Sequence, residues 1–482
     1  MLTSSILLFA LAAAPGVREW RQSHEREILA EYFDLLRMPN VASDTANIRK
    51  NAEAIRGLLT KRGAKSRLLE VEGAPPAVYG ELATPGATQT VLFYAHYDGQ
   101  PTDPKQWQGS GPWEPSFRGT EEKGGESRIY ARSASDDKAP IQAMLSALDA
   151  MRAGGQRPSV NLKFLFEGEE EAGSASLGKI LAANKDVVKA DFWLICDGPV
   201  HQTRRQQIVF GARGITSMQV TVYGPRRELH SGHYGNWVPN PAMRLARLLA
   251  SMKDDEGRVT IAGFYDGIEP LSETEKRALA EEPPVEDALR RELWLGSTEN
   301  APRRLSDVIN EPSLNIRGLE SGAVGAASRN VIPAEATASI DIRLVKGIDY
   351  QAIAEKVTAH IRSQGYTVLD RTPTEDERMR SAKIARVTLE TGYDAVRTSM
   401  DLPVSRQVVR TVESVRGPVV KMPTSGGSVP LSIIEDVVHV PMVMVPIVNH
   451  DNSQHSANEN LRVQNLWDGI ETFVALFTMP EK

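Results

Sequence analysis

Five short stretches carry acids or histidines directly behind apolar runs: AHYD (95–98), SASDDK (133–138), FEGEEEAGS (166–174), ICDGP (195–199) and NSQHSANEN (452–460). Imidazole and carboxylate together, without thiolate, suit zinc or a similar divalent cation. The chain has one cysteine, Cys196, which excludes an intrachain disulfide and a cysteine-metal cluster. His96 and Asp98 stand at i and i+2, so in an extended segment their side chains share a face. Asp98 could there accept the second ring N–H of His96 and fix its tautomer. By itself the pair also fits an ordinary strand-end histidine meeting a polar turn. Glu167, Glu169, Glu170 and Glu171 belong to the second kind of signal, an acidic run behind the apolar NLKFLF (161–166). Alone, such a run is a solvated loop. At the end of a buried strand, desolvation and like charge both oppose ionisation, and a metal ion supplies the missing charge. The four companion stretches favour the second reading.

These stretches need a scaffold that brings distant segments together. Helical spacing (Ile28, Leu29, Tyr32, Phe33, Leu36; then Ile48, Ala52, Ile55, Leu59) alternates with strand-like runs at 89–95, 159–166 and 191–196, and a helix is expected near 138–153. That alternation predicts an α/β domain with a central, mostly parallel sheet, whose strand carboxyl ends gather ligands. After Gly211 the character changes. ITSMQVTVYG (215–224) and ATASIDIRLV (336–345) alternate with a period of two, as half-exposed antiparallel strands do. The buried pattern returns after about residue 390 in VVKM (419–422) and VPMVMVPIV (440–448), with a closing helix near 459–477. The expected layout is a catalytic domain over 19–211 and 390–482, interrupted by a smaller α+β domain over 212–389. Glu121 to Gly125 reads as a hairpin tip.

Bulk composition narrows the function classes. The 482 residues exceed one compact core, and 41% hydrophobic with 24% charged residues is ordinary for a globular protein. A net charge of −6, from 62 acids against 56 bases, leaves no footprint for nucleic acid. Ile6 to Ala14 resembles the apolar core of a signal peptide, with small residues at Ala12 and Ala14, although only the α-amine supplies charge before it. Residues 1–18 are therefore expected to direct export to the periplasm or medium; uncleaved, the segment would leave a cytoplasmic protein. Nothing else approaches the ~20 apolar residues of a membrane span. No GxSxG elbow for a serine hydrolase is present.

AHYDGQP, IYARSASDDK, EGEEEAGS, LHSGHYGN, NVIP, GGSVP and HSANE occur in this order from about residue 25 to the end. Together they resemble the di-zinc exopeptidase superfamily of carnosinases, glutamate carboxypeptidase, aminoacylases and succinyl-diaminopimelate desuccinylase (metallopeptidase family twenty). Length and the long insert look most like the carnosinase-type dipeptidase branch. The resemblance implies two Zn²⁺ per subunit, with Mn²⁺ or Co²⁺ as alternatives. It implies that Asp136 bridges them, that His96 and Asp197 complete one site, and that Glu171 and His455 complete the other. Glu170 would be the general base and Asp98 would orient His96. A cis peptide bond between Asp136 and Asp137 is also expected from the family. So is a homodimer formed through the insert (lid) domain, in which His230 reaches the partner's active site to polarise the scissile carbonyl. Asn330, Arg343, Gly426, Gly427 and Ser428 match substrate-contacting positions. Arg343 and Asp341 share a strand face, so a surface ion pair is the competing reading for Arg343; its fork would suit a terminal carboxylate.

The sequence departs from the family where Ser133 and Ala139 replace usual glycines, and where the acid-free TSGGSVP replaces a charged lead-in. His201, His360 and His439 lie outside every motif and read as structural. His233 and His450 carry no assigned role, and Trp107 and Trp113 read as packing residues. The expected reaction is hydrolysis of the amide bond of dipeptides or short peptides by metal-activated water, the family tending to place Asp at position 197 in dipeptidases. Hydrolysis of an N-acyl or N-carbamoyl amino acid by the same site is the alternative, and a non-catalytic peptide-binding relative a third reading.

Overall fold

The computed structural model of the chain describes residues 16–120, 126–390 and 392–480. The expected export segment falls outside the described residues as far as residue 15, and the expected hairpin tip at 121–125 falls outside them too.

The apolar runs form one eight-stranded sheet. Its order is Lys65–Leu69, Ala77–Leu82, Asn161–Glu167, Thr90–His96, Phe192–Ile195, Met442–Met444, Gln207–Val209, Val420–Met422. The four central strands, Asn161–Glu167 to Met442–Met444, are mutually parallel. They are buried on both faces, which is why they read as continuous apolar runs rather than alternating ones. One face packs against helices Thr45–Lys61, Lys138–Ala153 and Val463–Phe477, where Phe93, Phe164, Phe473 and Phe477 meet edge to face or tilted. The other face packs against Leu177–Ala183 and Leu431–Val438.

The insert forms a separate sheet in the order Ser313–Glu320, Glu335–Leu344, Gly214–Tyr223, Ile384–Leu389, Thr367–Leu369. Along Glu335–Leu344 the residues alternate between buried and part-exposed, with Ile340, Ile342 and Leu344 inward, as the period-two pattern requires. Helices Pro241–Ala250 and Tyr350–Ser363 cover that inner face, giving a second hydrophobic core centred on Met218, Val220, Ile340 and Val357. Not all of the insert joins it: helix Glu273–Glu281 puts Ala278 and Leu279 into the two cores flanking the large sheet. No helix is long and apolar enough to cross a membrane among the described residues.

Candidate metal centre and substrate cavity

Each parallel strand delivers one piece of the site at its carboxyl end. Thr90–His96 ends on His96, Asn161–Glu167 runs into Glu170 and Glu171, and Phe192–Ile195 leads to Asp197. Met442–Met444 leads to the loop that carries His455. Asp136 comes from the turn before helix Lys138–Ala153. Two groups of potential ligands result: His96, Asp136 and Asp197, and Asp136, Glu171 and His455, with the donor atoms of each group within 4.8 Å of one another.

Asp136 is common to both. Its Oδ1 lies 3.0 Å from His96 Nε2 and its Oδ2 lies 3.2 Å from His455 Nε2. His455 Nε2 is also 3.2 Å from Glu171 Oε2, while Asp197 Oδ2 and Glu170 Oε2 each stand 4.0 Å from His96 Nε2. The peptide bond between Asp136 and Asp137 is cis.

Asp98 orients more than its histidine. Its Oδ1 is 3.3 Å from His96 Nδ1. Its two carboxylate oxygens also accept the backbone N–H groups of Glu170 (3.1 Å) and Glu171 (3.0 Å). Gln100 donates to Glu171 Oε2 at 2.8 Å.

The electrostatics fit a divalent cation in each group. Desolvation, then the nearby carboxylates, push Glu171 up to about 7 and Asp197 up to about 6. Desolvation likewise holds Glu170 well above the ordinary carboxylate range, against the pull of His96. Burial opposes ionisation of Asp136 too, yet hydrogen bonds from His455 and His96 hold it well below that range. Asp136, Asp197, Glu170 and Glu171 thus form a water-poor cluster of four acids facing two imidazoles. Two divalent cations would match that charge, and the mixed N,O donors suit zinc.

A cavity of about 550 Å³ opens onto this cluster. Asp136, Glu170, Asp197 and His455 line it from the large-sheet domain, together with Gly426, Gly427 and Ser428. Arg343, Val285, Ser306 and Ile309 line it from the insert. Arg343 meets both of its sequence readings: its Nε is 3.6 Å from Asp341 Oδ2, and its Nη1 donates to Ser428 Oγ at 2.8 Å. His230 and Asn330 are exposed and are not among the residues lining this cavity. They lie side by side, the Asn330 carbonyl accepting the Ser231 N–H at 2.9 Å.

Sequence reasoning overlooked several residues. Glu459, fully buried, ties the Asp136 turn to the His455 loop. Its Oε1 accepts the N–H of Ser135 (2.8 Å), the Ser135 hydroxyl (2.9 Å) and the N–H of Asp136 (2.9 Å). Its Oε2 accepts the N–H of Ser133 (2.9 Å) and Arg132 Nη1 (2.8 Å). The HSANE motif contained the signal, an acid four residues after His455. Ser133 adopts φ 61°, a left-handed conformation that explains the family's glycine there; the Glu459 bond and Asn40 Nδ2 at 2.8 Å from its hydroxyl hold it. His201, read as structural, lines the cavity between Thr203 and Glu282, and His450 lines it as well. His360 bonds Ser251 in the insert, and His439 ends helix Leu431–Val438 in the left-handed conformation.

Residues 92–479 match the sequence profile of peptidase family M20/M25/M40. Human Beta-Ala-His dipeptidase is 30% identical over 410 residues, covering 84% of this chain and 77% of that protein. The Cys-Gly metallodipeptidase DUG1 of Candida albicans is 28% identical over 410 residues, covering 83% and 80%. Among solved structures, the metallo-carboxypeptidase Sso-CP2 from Sulfolobus solfataricus superposes with a TM-score of 0.76 at 27% identity, covering 94% of this chain and 99% of that one. Profile, relatives and fold agree with the geometry of the centre: the chain belongs to peptidase family M20/M25/M40.

Proposed function

We propose that this protein is a metal-dependent dipeptidase whose two ligand groups, sharing Asp136, would each hold a Zn²⁺ ion. The observation that carries this reading is the Asp136 carboxylate, with one oxygen toward His96 and the other toward His455. When bound, the cations would lower the pKa of a coordinated water and polarise the scissile carbonyl. Asp98 fixes the His96 tautomer and, through its bonds to the Glu170 and Glu171 N–H groups, the position of the base. Glu170 accepts the proton of the attacking water at its carboxylate and returns it to the leaving amine; its burial raises its proton affinity above that of an ordinary carboxylate. Arg343, Ser428 and the backbone of Gly427 receive the substrate's terminal carboxylate.

The dipeptide preference is supported by relatives whose activities are dipeptidases of β-Ala-His and Cys-Gly over most of this chain. We further propose a homodimer through the insert domain, with His230 and Asn330 acting in the partner's cavity. Strand Ser313–Glu320 is an open sheet edge, and Trp237 (80% exposed), Leu319 and Val324 stand out as apolar side chains on the same domain. Elemental analysis followed by assays on Ala-containing dipeptides and N-acetyl amino acids, before and after chelation, tests the reading. Two metals per chain and chelator-sensitive dipeptide cleavage are expected. Preferential cleavage of the N-acetyl substrates would install the acylamino-acid alternative, and chelator-resistant activity would end the metal mechanism.

A further inference from the structure

Arg213 is a buried cation with no acid in ion-pair range among the described residues. It is 7% exposed and sits where the chain crosses from the large-sheet domain into the insert. Its Nη2 donates to the Glu311 carbonyl (2.7 Å) and Ser313 Oγ (3.0 Å), and its Nε has no partner. The other buried arginines among the described residues each have a carboxylate within 4.0 Å, as Arg62 has Asp149, Arg128 has Asp451, Arg132 has Glu459 and Arg397 has Glu275. For Arg213 no such ion pair is found among the described residues. A desolvated charge left unpaired is costly unless something arrives to pair it.

Its surroundings identify what arrives. Ser313 pairs with Arg343 across the sheet, Arg343 pairs with Ile215, and Ile215 bridges to Tyr393 on the strand returning from the insert. These four residues form one row at the domain crossing. Arg343 Nη1 donates to the hydroxyl of Ser428, which lines the cavity opposite the insert, and Tyr393 lies beside that serine. Asp341, two residues before Arg343, is 3.6 Å from its Nε and already accepts Asn315 Nδ2 at 2.9 Å. Burial first, and then the neighbouring Arg343, lower the pKa of Arg213, and Asp341, which pairs with Arg343, only partly offsets them.

We propose that Arg213 is a specificity-determining residue: with Arg343 it forms a two-guanidinium field, completed by Tyr393 and Ser428, whose counter-ion is the free C-terminal carboxylate of the substrate. Arg343 and Ser428 contact that carboxylate; Arg213, behind them, supplies charge and fixes Ser313, and Tyr393 orients the Ser428 hydroxyl. The inference rests on the dipeptidase reading and adds to it the reason the enzyme takes free-acid dipeptides rather than capped or longer peptides.

The test compares Ala-Ala with its C-terminal amide on the metal-loaded enzyme and on Arg213→Met, Arg213→Lys and Tyr393→Phe. Arg213→Met should raise KM for Ala-Ala by about tenfold or more, as expected for losing a charged partner, with kcat nearly constant and the amide's constants unchanged. Arg213→Lys, which keeps the charge, should recover part of the loss, and Tyr393→Phe, which removes only one hydroxyl, should raise KM for Ala-Ala alone. Equal losses on acid and amide, or none, overturn the inference. If the wild type cleaves neither substrate, the dipeptidase reading fails separately. Calorimetric titration with N-acetylalanine and N-acetylalanine amide then decides: equal affinities for the two in the wild type overturn the carboxylate subsite, and an acid preference lost in Arg213→Met upholds it.

Discussion

Replacing Glu459 by Gln changes one buried oxygen to an NH₂ group and leaves every proposed metal ligand in place in the sequence. The carboxylate accepts from three backbone N–H groups, one hydroxyl and Arg132. A Gln carbonyl can replace Oε1 and keep Ser135 and Asp136. Its NH₂ then faces the N–H of Ser133 and the guanidinium of Arg132, donor against donor. Two charge-assisted bonds are lost at about 1.5–3 kcal/mol each, so the metal-free protein should lose about 3–6 kcal/mol, a large share of the 5–15 kcal/mol typical of a domain. The same change frees the Asp136 turn from the loop carrying His455, so metal affinity should fall by about 10–100-fold, as for other outer-shell partners. Competition against a chromophoric chelator measures the affinity, and thermal unfolding with and without Zn²⁺ measures the stability. At saturating metal kcat should approach the wild-type value, because no reacting group has changed. Wild-type metal affinity in a folded Glu459→Gln protein would refute the idea that this carboxylate holds the two ligand loops together.

Other outcomes follow from the same geometry. Glu170→Gln should retain both metals by elemental analysis while kcat drops about 10²–10⁴-fold; normal turnover would remove Glu170 as the base. In the metal-free protein, Glu171 and Asp197 titrate near 7 and 6, above their unfolded values of 4.5 and 3.8. The folded state holds extra protons on these two groups across that window, so the stability they contribute is fully present below about pH 4 and is lost as pH rises toward 7, by about 3 kcal/mol per group. Melting curves from pH 4 to pH 8 should fall for chelated protein and stay nearly level with Zn²⁺ present; a flat metal-free profile would contradict the buried-acid account. Trp237→Asp with Leu319→Asp should convert a dimer to monomers in analytical ultracentrifugation and cost activity, and a fully active monomer would rule out His230 working in trans.

Much of the chemistry was written locally. Side-chain types and short spacings marked His96 with Asp98, the acids at 167–171 and the parallel sheet behind them, because strand period and apolar runs are properties of neighbouring residues. The proposed ligand set came from the resemblance of the ordered motifs to a known family rather than from spacing. What spacing along the chain does not encode is which atoms meet across hundreds of residues. Tertiary structure alone placed the two oxygens of Asp136 between His96 and His455, folded Glu459 under the turn at 133–136, and turned His201 toward the cavity. It also left Arg213 with no carboxylate in ion-pair range among the described residues, while the other buried arginines found one. A hydrogen bond or an ion pair is decided within a few ångströms, and only the packing of sheet, helices and insert brings groups from separate loops to that distance.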